Sequence, residues 1–154
     1  MGGPGGTRRD WTVGLLTLLA MALLPPAVMA DEPRDLVVNM DGFPSADGVV
    51  YVALFQSADG FPGDQTKALA GQKTRVSPKK LRARVTFRAL PPGTYAVSVL
   101  HDADGDGALD TNVLGIPTEA VGASNNVRTL GPPSFDDAAF RHPADRILIH
   151  VRIP

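Results

Sequence analysis

Apolar and polar residues alternate with a period of two along much of the chain, which is the pattern of β-strands with one buried face. The clearest run is residues 82–89, where alanine, valine and phenylalanine alternate with arginine and threonine. Similar runs occupy residues 36–40 and 147–153. Helical periodicity is almost absent, so the pattern predicts an all-β fold.

Two further segments are apolar at most positions. Residues 48–55 (GVVYVALF) are typical of a central strand covered on both faces, and residues 95–100 (YAVSVL) predict another strand. The sequence LPPG, which starts at Leu90, supplies a turn just before the second of these strands. We therefore expect residues 82–100 to form a β-hairpin.

Two long irregular segments, residues 56–80 and 111–146, separate the predicted strands. Loops of that length in a small domain are usually functional or partly structured. Within the second, residues 134–140 (SFDDAAF) predict a short helix capped by Ser134. Short strands, turns rich in proline and glycine, and little helix favour a single immunoglobulin-like or transthyretin-like sandwich.

Residues 1–30 read as a cleavable signal peptide. Arg8 and Arg9 precede an apolar run over residues 11–24, and the segment ends on the small residue Ala30. The run is short for a membrane span, which needs about 20 residues, and no second apolar stretch follows. We expect cleavage after Ala30, a mature domain of residues 31–154 without an integral membrane span, and a periplasmic or secreted location.

The amino-acid composition excludes several kinds of functional site. The chain has no cysteine, which excludes disulfides, thiol nucleophiles and thiolate metal sites. Its 15 basic and 16 acidic residues nearly balance, and no basic stripe is present to follow a phosphate backbone. Nucleic acid is therefore not an expected partner.

An acidic loop follows the strand at residues 95–100. Its sequence, DADGDGALD (residues 102–110), places aspartates at alternate positions with glycine at the sixth. Calcium binds six to eight oxygens, and such spacing aims alternate side chains at one point. The predicted ligands are the carboxylates of Asp102, Asp104 and Asp106, the carbonyl oxygen of Ala108, and Asp110 directly or through water.

Two alternatives bear on this loop. Aspartate and glycine also favour solvated turns without any metal. Four carboxylates within nine residues repel one another, however, and a cation would relieve that repulsion. The twelfth position is Val113 and not the bidentate Glu of an EF-hand, so the pattern favours a structural calcium site between strands.

Several motifs together resemble the bacterial domain-of-unknown-function family 2141. They are GVVYVALF, LPPGTYAVSVLHDADGDGALDTN, GIPTEAVGASNN and GPPSF, and the resemblance covers about residues 36–154. It implies a small exported protein with a β-sandwich fold and no established activity. Members of that family often carry Asn at the positions of Asp104 or Asp106, which implies that the loop keeps its shape with fewer charges.

A different function is conceivable around His101, Glu119 and Ser124–Asn126. His101 is in register with the inward side of its strand, and these groups together could form a small-molecule or hydrolase site. A hydrogen bond from His101 to a loop carbonyl is the more common role for such a histidine. No nucleophile elbow supports a hydrolase, so we do not expect an enzyme.

The exposed face of residues 82–88 carries Arg82, Arg84 and Arg88, with Lys79 and Lys80 beside them. Such a face could bind anionic lipid, polysaccharide or protein, or could simply discourage aggregation. Taken together, the sequence predicts a non-enzymatic module of the cell envelope with a structural calcium loop. Its partner would be an envelope protein, a glycan or a small molecule.

Overall fold

The computed structural model describes residues 1–3, 5, 32–129, 131–143, 146–150 and 152. Most of the predicted signal peptide and parts of the predicted C-terminal strand lie outside these residues. None of the helices among them has the length and apolar character needed to cross a membrane.

The described chain is mainly β, which confirms the predicted fold class. Its strands are β1 (Arg34–Asp41), β2 (Val49–Phe55), β3 (Ala70–Thr74), β4 (Ala83–Leu90), β5 (Gly93–Asp102), β6 (Ala120–Ala123), β7 (Phe140–His142) and β8 (Arg146–His150). One short helix, α1 (Phe135–Ala138), and 3₁₀ turns at Gln65–Lys67 and Ser124–Asn126 complete the elements.

The strands form two sheets that pack as a sandwich. In one sheet the order is β4-β1-β8, with β1 antiparallel to β4 and parallel to β8. In the other the order is β3-β2-β5-β6, all antiparallel, and β7 pairs with the first residues of β5. The second sheet carries the acidic loop, because β5 ends at Asp102.

The core lies between the sheets and contains the apolar side chains that the alternation predicts. Its largest contributors are Leu36, Val38, Met40, Val50, Val52, Leu54, Val85, Phe87, Tyr95, Val97, Val99 and Ile149. Their burial is the main stabilising term of the fold, at about 25 cal/mol per Å² of apolar surface removed from water.

The predicted hairpin of residues 82–100 is wrong. β4 pairs with β1 and β5 pairs with β2, so the LPPG turn carries the chain from one sheet to the other. The Tyr95 hydroxyl donates to the carbonyl oxygen of Pro91 at 2.9 Å and holds this crossing in place. A strand with alternating apolar residues buries one face in both arrangements, whether the next strand pairs with it in a hairpin or lies in the facing sheet. The alternation therefore could not distinguish a hairpin from a crossing between sheets.

The two segments expected to be irregular contain regular elements. Residues 56–80 include β3, whose sequence AGQKT has no apolar alternation because it forms an exposed edge. Residues 111–146 contain β6, α1 and β7. The predicted cap is confirmed, since the Ser134 hydroxyl oxygen accepts a hydrogen bond from the Asp137 amide at 3.2 Å.

Hydrogen bonds connect the two sheets at both edges. Between β3 and β4, the Gln72 side-chain amide donates to the carbonyl oxygen of Thr86 at 2.7 Å. On the other side, Val121 and Arg152 exchange backbone hydrogen bonds of 2.7 and 2.9 Å. The acidic loop therefore emerges from the end of a sandwich that is braced along its sides.

Candidate metal centre

The acidic loop starts at the buried end of a central strand. Asp102 is the last residue of β5 and pairs with Val49 at the start of β2. Its side chain is fully buried, whereas those of Asp104 and Asp106 are exposed. The loop thus has one fixed carboxylate inside the fold and two at the surface.

The backbone curls around the Asp102 carboxylate. Oδ1 accepts a hydrogen bond from the Gly105 amide at 2.6 Å, and Oδ2 accepts one from the Gly107 amide at 2.9 Å. Both glycines have a φ of 85°, a conformation that glycine adopts without steric cost. Burial raises the pKa of Asp102, but these hydrogen bonds to its charged form leave the pKa below the ordinary value.

Local turns fix the orientation of the Asp104 and Asp106 side chains. Oδ1 of Asp104 accepts a hydrogen bond from the Asp106 amide at 3.1 Å. Oδ1 of Asp106 accepts one from the Ala108 amide at 2.8 Å. Repeating this turn every two residues places the aspartates on the same side of the loop.

One oxygen from each of Asp102, Asp104 and Asp106 lies within 4.8 Å of the other two. Oxygens on opposite sides of a calcium ion, each 2.3–2.6 Å from it, are separated by about 5 Å. The three carboxylates are therefore close enough to share one cation. The predicted convergence of these three residues is confirmed.

Asp110 is not part of this group of carboxylates. Its carbonyl oxygen accepts a hydrogen bond from the Thr118 amide at 2.9 Å, which pairs the end of the loop with the segment entering β6. The contributions of Asp110 and of the Ala108 carbonyl to a metal site stay predictions.

Glu119 supports the acidic loop, although the sequence pattern grouped it with His101 and Ser124–Asn126. Its carboxylate is buried, and Oε1 accepts from the Ala103 amide at 3.0 Å while Oε2 accepts from the Asp110 amide at 3.2 Å. Glu119 therefore holds both ends of the acidic loop. The available signal was a lone acidic residue at the point where the chain returns to the sheet after GIPT.

Gly48 supports the loop from the turn before β2. Its φ is 68°, and a Cβ at this position would lie 1.9 Å from the carbonyl oxygen of Asp102 and 2.7 Å from the Cα of Ala103. Only a residue without a side chain allows so close an approach. The start of the loop is thus fixed by backbone packing as well as by hydrogen bonds.

A family model described as an uncharacterised protein conserved in bacteria, domain-of-unknown-function family 2141, matches residues 38–147. The chain belongs to this family. The matched region runs from β1 into β8 and includes the acidic loop, which confirms the resemblance drawn from the motifs. No curated protein and no solved structure matches the chain.

His101 has a structural role in this member of family 2141. It is buried, and its Nε2 lies 2.8 Å from the carbonyl oxygen of Asp47. Since a carbonyl only accepts, Nε2 donates the hydrogen. The ring packs edge-on against Phe43 with centroids 5.1 Å apart. The inward orientation and the hydrogen bond to a loop carbonyl that the sequence predicts are both confirmed.

Ser124, the first residue of the sequence SNN at residues 124–126, joins two elements. Its hydroxyl oxygen accepts from the Val97 amide at 3.0 Å, and the hydroxyl donates to the carbonyl oxygen of Ala138 at 2.5 Å. Ser124 is almost fully buried. Its hydroxyl is therefore committed to linking β5 with α1.

The two asparagines that follow also bond to backbone groups. Asn125 donates to the carbonyl oxygens of Asp137 and Ala139, and Asn126 binds the backbone of β8 through both ends of its amide. His101, Glu119 and Ser124–Asn126 thus hold different parts of the backbone. Within the described residues, each of their hydrogen bonds goes to a backbone group, and none joins two of these five side chains.

Ser124→Ala is expected to lower the free energy of unfolding by about 1–3 kcal/mol, because the amide of Val97 and the carbonyl of Ala138 lose a buried partner. Denaturant unfolding measures this change, and calcium should leave the difference between variant and wild type unaltered. The exposed Ser57, which makes no hydrogen bond within the described chain, provides the control Ser57→Ala. Equal midpoints for the two variants would contradict the bracing role of Ser124.

Proposed function

We propose that this family member is an exported, non-enzymatic β-sandwich module in which residues 102–110 bind a structural calcium ion. The observation that carries the proposal is the convergence of Asp102, Asp104 and Asp106, with one oxygen of each within 4.8 Å of the others. The ion would offset the mutual repulsion of these carboxylates and order the exposed part of the loop.

Calcium suits this set of donors better than magnesium. All the candidate ligands are oxygens, and calcium accepts six to eight of them at 2.3–2.6 Å in a flexible arrangement. Magnesium requires near-octahedral geometry at about 2.0–2.1 Å and gives up its waters reluctantly. The carbonyl oxygen of Ala108, Asp110 and water would complete the sphere.

The support of the loop suggests how the ion would act. Asp102 is held by two amides and by its place at the end of β5, so it offers a fixed anchor. Asp104 and Asp106 are exposed and would close over the ion from the solvent side. Binding to the folded form alone stabilises a protein by about 2.7 kcal/mol at a hundredfold excess over the dissociation constant.

The double variant Asp104→Ala/Asp106→Ala is expected to lose the stabilisation by calcium. Its melting temperature in millimolar calcium should equal its melting temperature in chelator, because only one of the three converging carboxylates remains. Affinities of extracellular calcium modules lie at roughly 10⁻⁴ to 10⁻³ M, so calcium at about 10 mM should occupy most of the wild-type sites. Thermal melts in both conditions measure the effect.

A control for lost charge is Glu32→Ala/Asp136→Ala, which removes two exposed carboxylates that make no hydrogen bond or ion pair within the described chain. This control should respond to calcium as the wild type does. A calcium-dependent rise that persists in Asp104→Ala/Asp106→Ala would overturn the proposed site.

The proposed setting is the cell envelope, with the protein periplasmic or secreted after cleavage at Ala30. The support is the signal-like composition of residues 1–30 and the weak calcium affinity expected of such a loop, which suits a calcium-rich compartment. The module would present an ordered surface to an envelope protein, a glycan or a small molecule. The small-molecule or hydrolase site around His101 and Glu119 is not favoured, because both side chains bind backbone groups of the fold.

A further inference from the structure

A groove runs along the side of the sandwich where the edge strands β3 and β4 face each other. It has a volume of about 590 Å³ and is lined by polar and basic side chains from both strands. Lys73 contributes from β3, and Arg84 and Arg88 contribute from β4. Residues of both sheets thus line one shallow, open groove, in which Arg84 and Arg88 are the basic side chains of β4.

These three cations are not neutralised within the described residues. None of them forms an ion pair or a hydrogen bond with a described side chain, and Lys73 only stacks over the Tyr51 ring at 4.6 Å. Lys67, by contrast, pairs with Asp59 at 2.6 Å. Among the described residues, Arg84 and Arg88 therefore have no competing partner, whereas the Lys73 ammonium lies over the Tyr51 ring, which lines neither recess.

The groove continues into a second recess of about 320 Å³. The two recesses share Gln72 and Arg88, and the second is lined largely by apolar side chains, including Leu54, Leu69 and Phe87. Leu69 is 52% exposed, so part of this apolar lining is open to solvent. The complete groove is basic at one end and apolar at the other.

The floor of the groove is closed by a hydrogen bond. The Gln72 side-chain amide reaches the carbonyl oxygen of Thr86 at 2.7 Å and joins the two edge strands. A peptide strand added between β3 and β4 would have to break this bond. The shape therefore favours a ligand that lies in the groove over a peptide that extends a sheet.

We propose that the groove binds an anionic amphiphile with a phosphate or carboxylate head group and a single alkyl chain. The head group lies at Arg84 and Arg88, because guanidinium groups bind such oxyanions through paired, charge-assisted hydrogen bonds. The alkyl chain lies along Leu69, which is 52% exposed, and removes that apolar surface from water. None of residues 102–110 lines either recess, so this site is independent of the proposed calcium site.

The test uses three probes in calorimetric titrations of the protein in chelator: dodecyl phosphate below its micellar concentration, inorganic phosphate, and dodecyl maltoside, which has a neutral head group. We expect saturable binding of dodecyl phosphate and weaker binding of the other two, because each lacks one half of the ligand. Equal affinity for inorganic phosphate, equal affinity for dodecyl maltoside, or no binding of dodecyl phosphate would each overturn the proposal.

Arg84→Gln/Arg88→Gln should weaken dodecyl phosphate binding by at least about tenfold through loss of charge-assisted hydrogen bonds. Both side chains are exposed, so the variant should fold normally. The matched control, Lys80→Gln/Arg82→Gln, removes two nearby charges outside the groove and should weaken binding by less than about twofold because exposed charges are screened. Equal losses in both variants would mean non-specific attraction and would overturn the site.

Leu69→Asn separates the two halves of the groove. It should weaken binding of dodecyl phosphate and leave binding of inorganic phosphate unchanged, since Leu69 lines only the apolar recess. Unchanged affinity for dodecyl phosphate would overturn the placement of the alkyl chain. Because every titration is made in chelator, failure here is distinguishable from failure of the calcium proposal.

Discussion

Gly48→Ala is expected to lower the free energy of unfolding by more than about 3 kcal/mol, which is above the usual range for a single substitution. The new Cβ would lie 1.9 Å from the carbonyl oxygen of Asp102 and 2.7 Å from the Cα of Ala103. Both neighbours belong to the backbone, so no side-chain rotation relieves the overlap. The positive φ of Gly48 adds a further cost for any other residue.

Chemical denaturation of Gly48→Ala and wild type measures this loss. Gly71→Ala is the matched control, because Gly71 has no positive φ and a Cβ there would meet no atom within 4 Å. This control should leave stability unchanged or raise it by up to about 1 kcal/mol through a less flexible unfolded chain. Similar effects of the two substitutions would show that the loop does not rest on the turn before β2.

Asp102→Asn is expected to destabilise the protein by about 2–3 kcal/mol even without calcium. Both carboxylate oxygens accept from backbone amides, those of Gly105 and Gly107. Asparagine keeps the size of the side chain but replaces one acceptor with an NH₂ group, which would face an amide hydrogen inside the fold. The variant should also bind calcium more weakly, since it loses the fixed anchor and one negative charge.

Asp104→Asn provides the comparison for this prediction. Within the described residues, Asp104 accepts one backbone hydrogen bond, from the Asp106 amide to Oδ1, and the carbonyl oxygen of asparagine can replace this acceptor. Stability in chelator should therefore equal or exceed that of the wild type, because the substitution also removes one of the mutually repelling charges, and the calcium affinity should fall. Denaturation in chelator, followed by calcium titration, separates the two variants. Equal stability of Asp102→Asn and wild type in chelator would contradict the structural role of the Asp102 carboxylate.

The strands that build the core could be predicted because their sequences carry a local signal. Alternation over residues 36–40 and 82–89 and the apolar run at residues 48–55 correspond to β1, β4 and β2. β3 could not be found this way, because AGQKT is short and polar, and its strand form depends on its pairing with β2. The partner of β4 is also set by contacts far along the chain, which is why the expected hairpin is a crossing between sheets.

The candidate site likewise has one part that the local sequence predicts and another part that it does not. Convergence of Asp102, Asp104 and Asp106 rests on hydrogen bonds between residues two to five apart, so the local sequence pattern predicts it. The supports come from distant parts of the chain. Glu119 binds the loop across 16 residues, and Gly48 contacts it through the pairing of β2 with β5. No short pattern in the sequence encodes those contacts.

The most direct test of the central claim is calorimetric titration of calcium into the chelator-treated protein, with magnesium as the comparison and Asp104→Ala/Asp106→Ala as the control variant. The predicted result is saturable calcium binding that raises the melting temperature, weaker binding of magnesium, and no calcium binding by the variant. Absence of calcium binding by the wild type up to about 10 mM, beyond the range of extracellular calcium modules, would contradict the proposed site and leave residues 102–110 as a hydrogen-bonded turn.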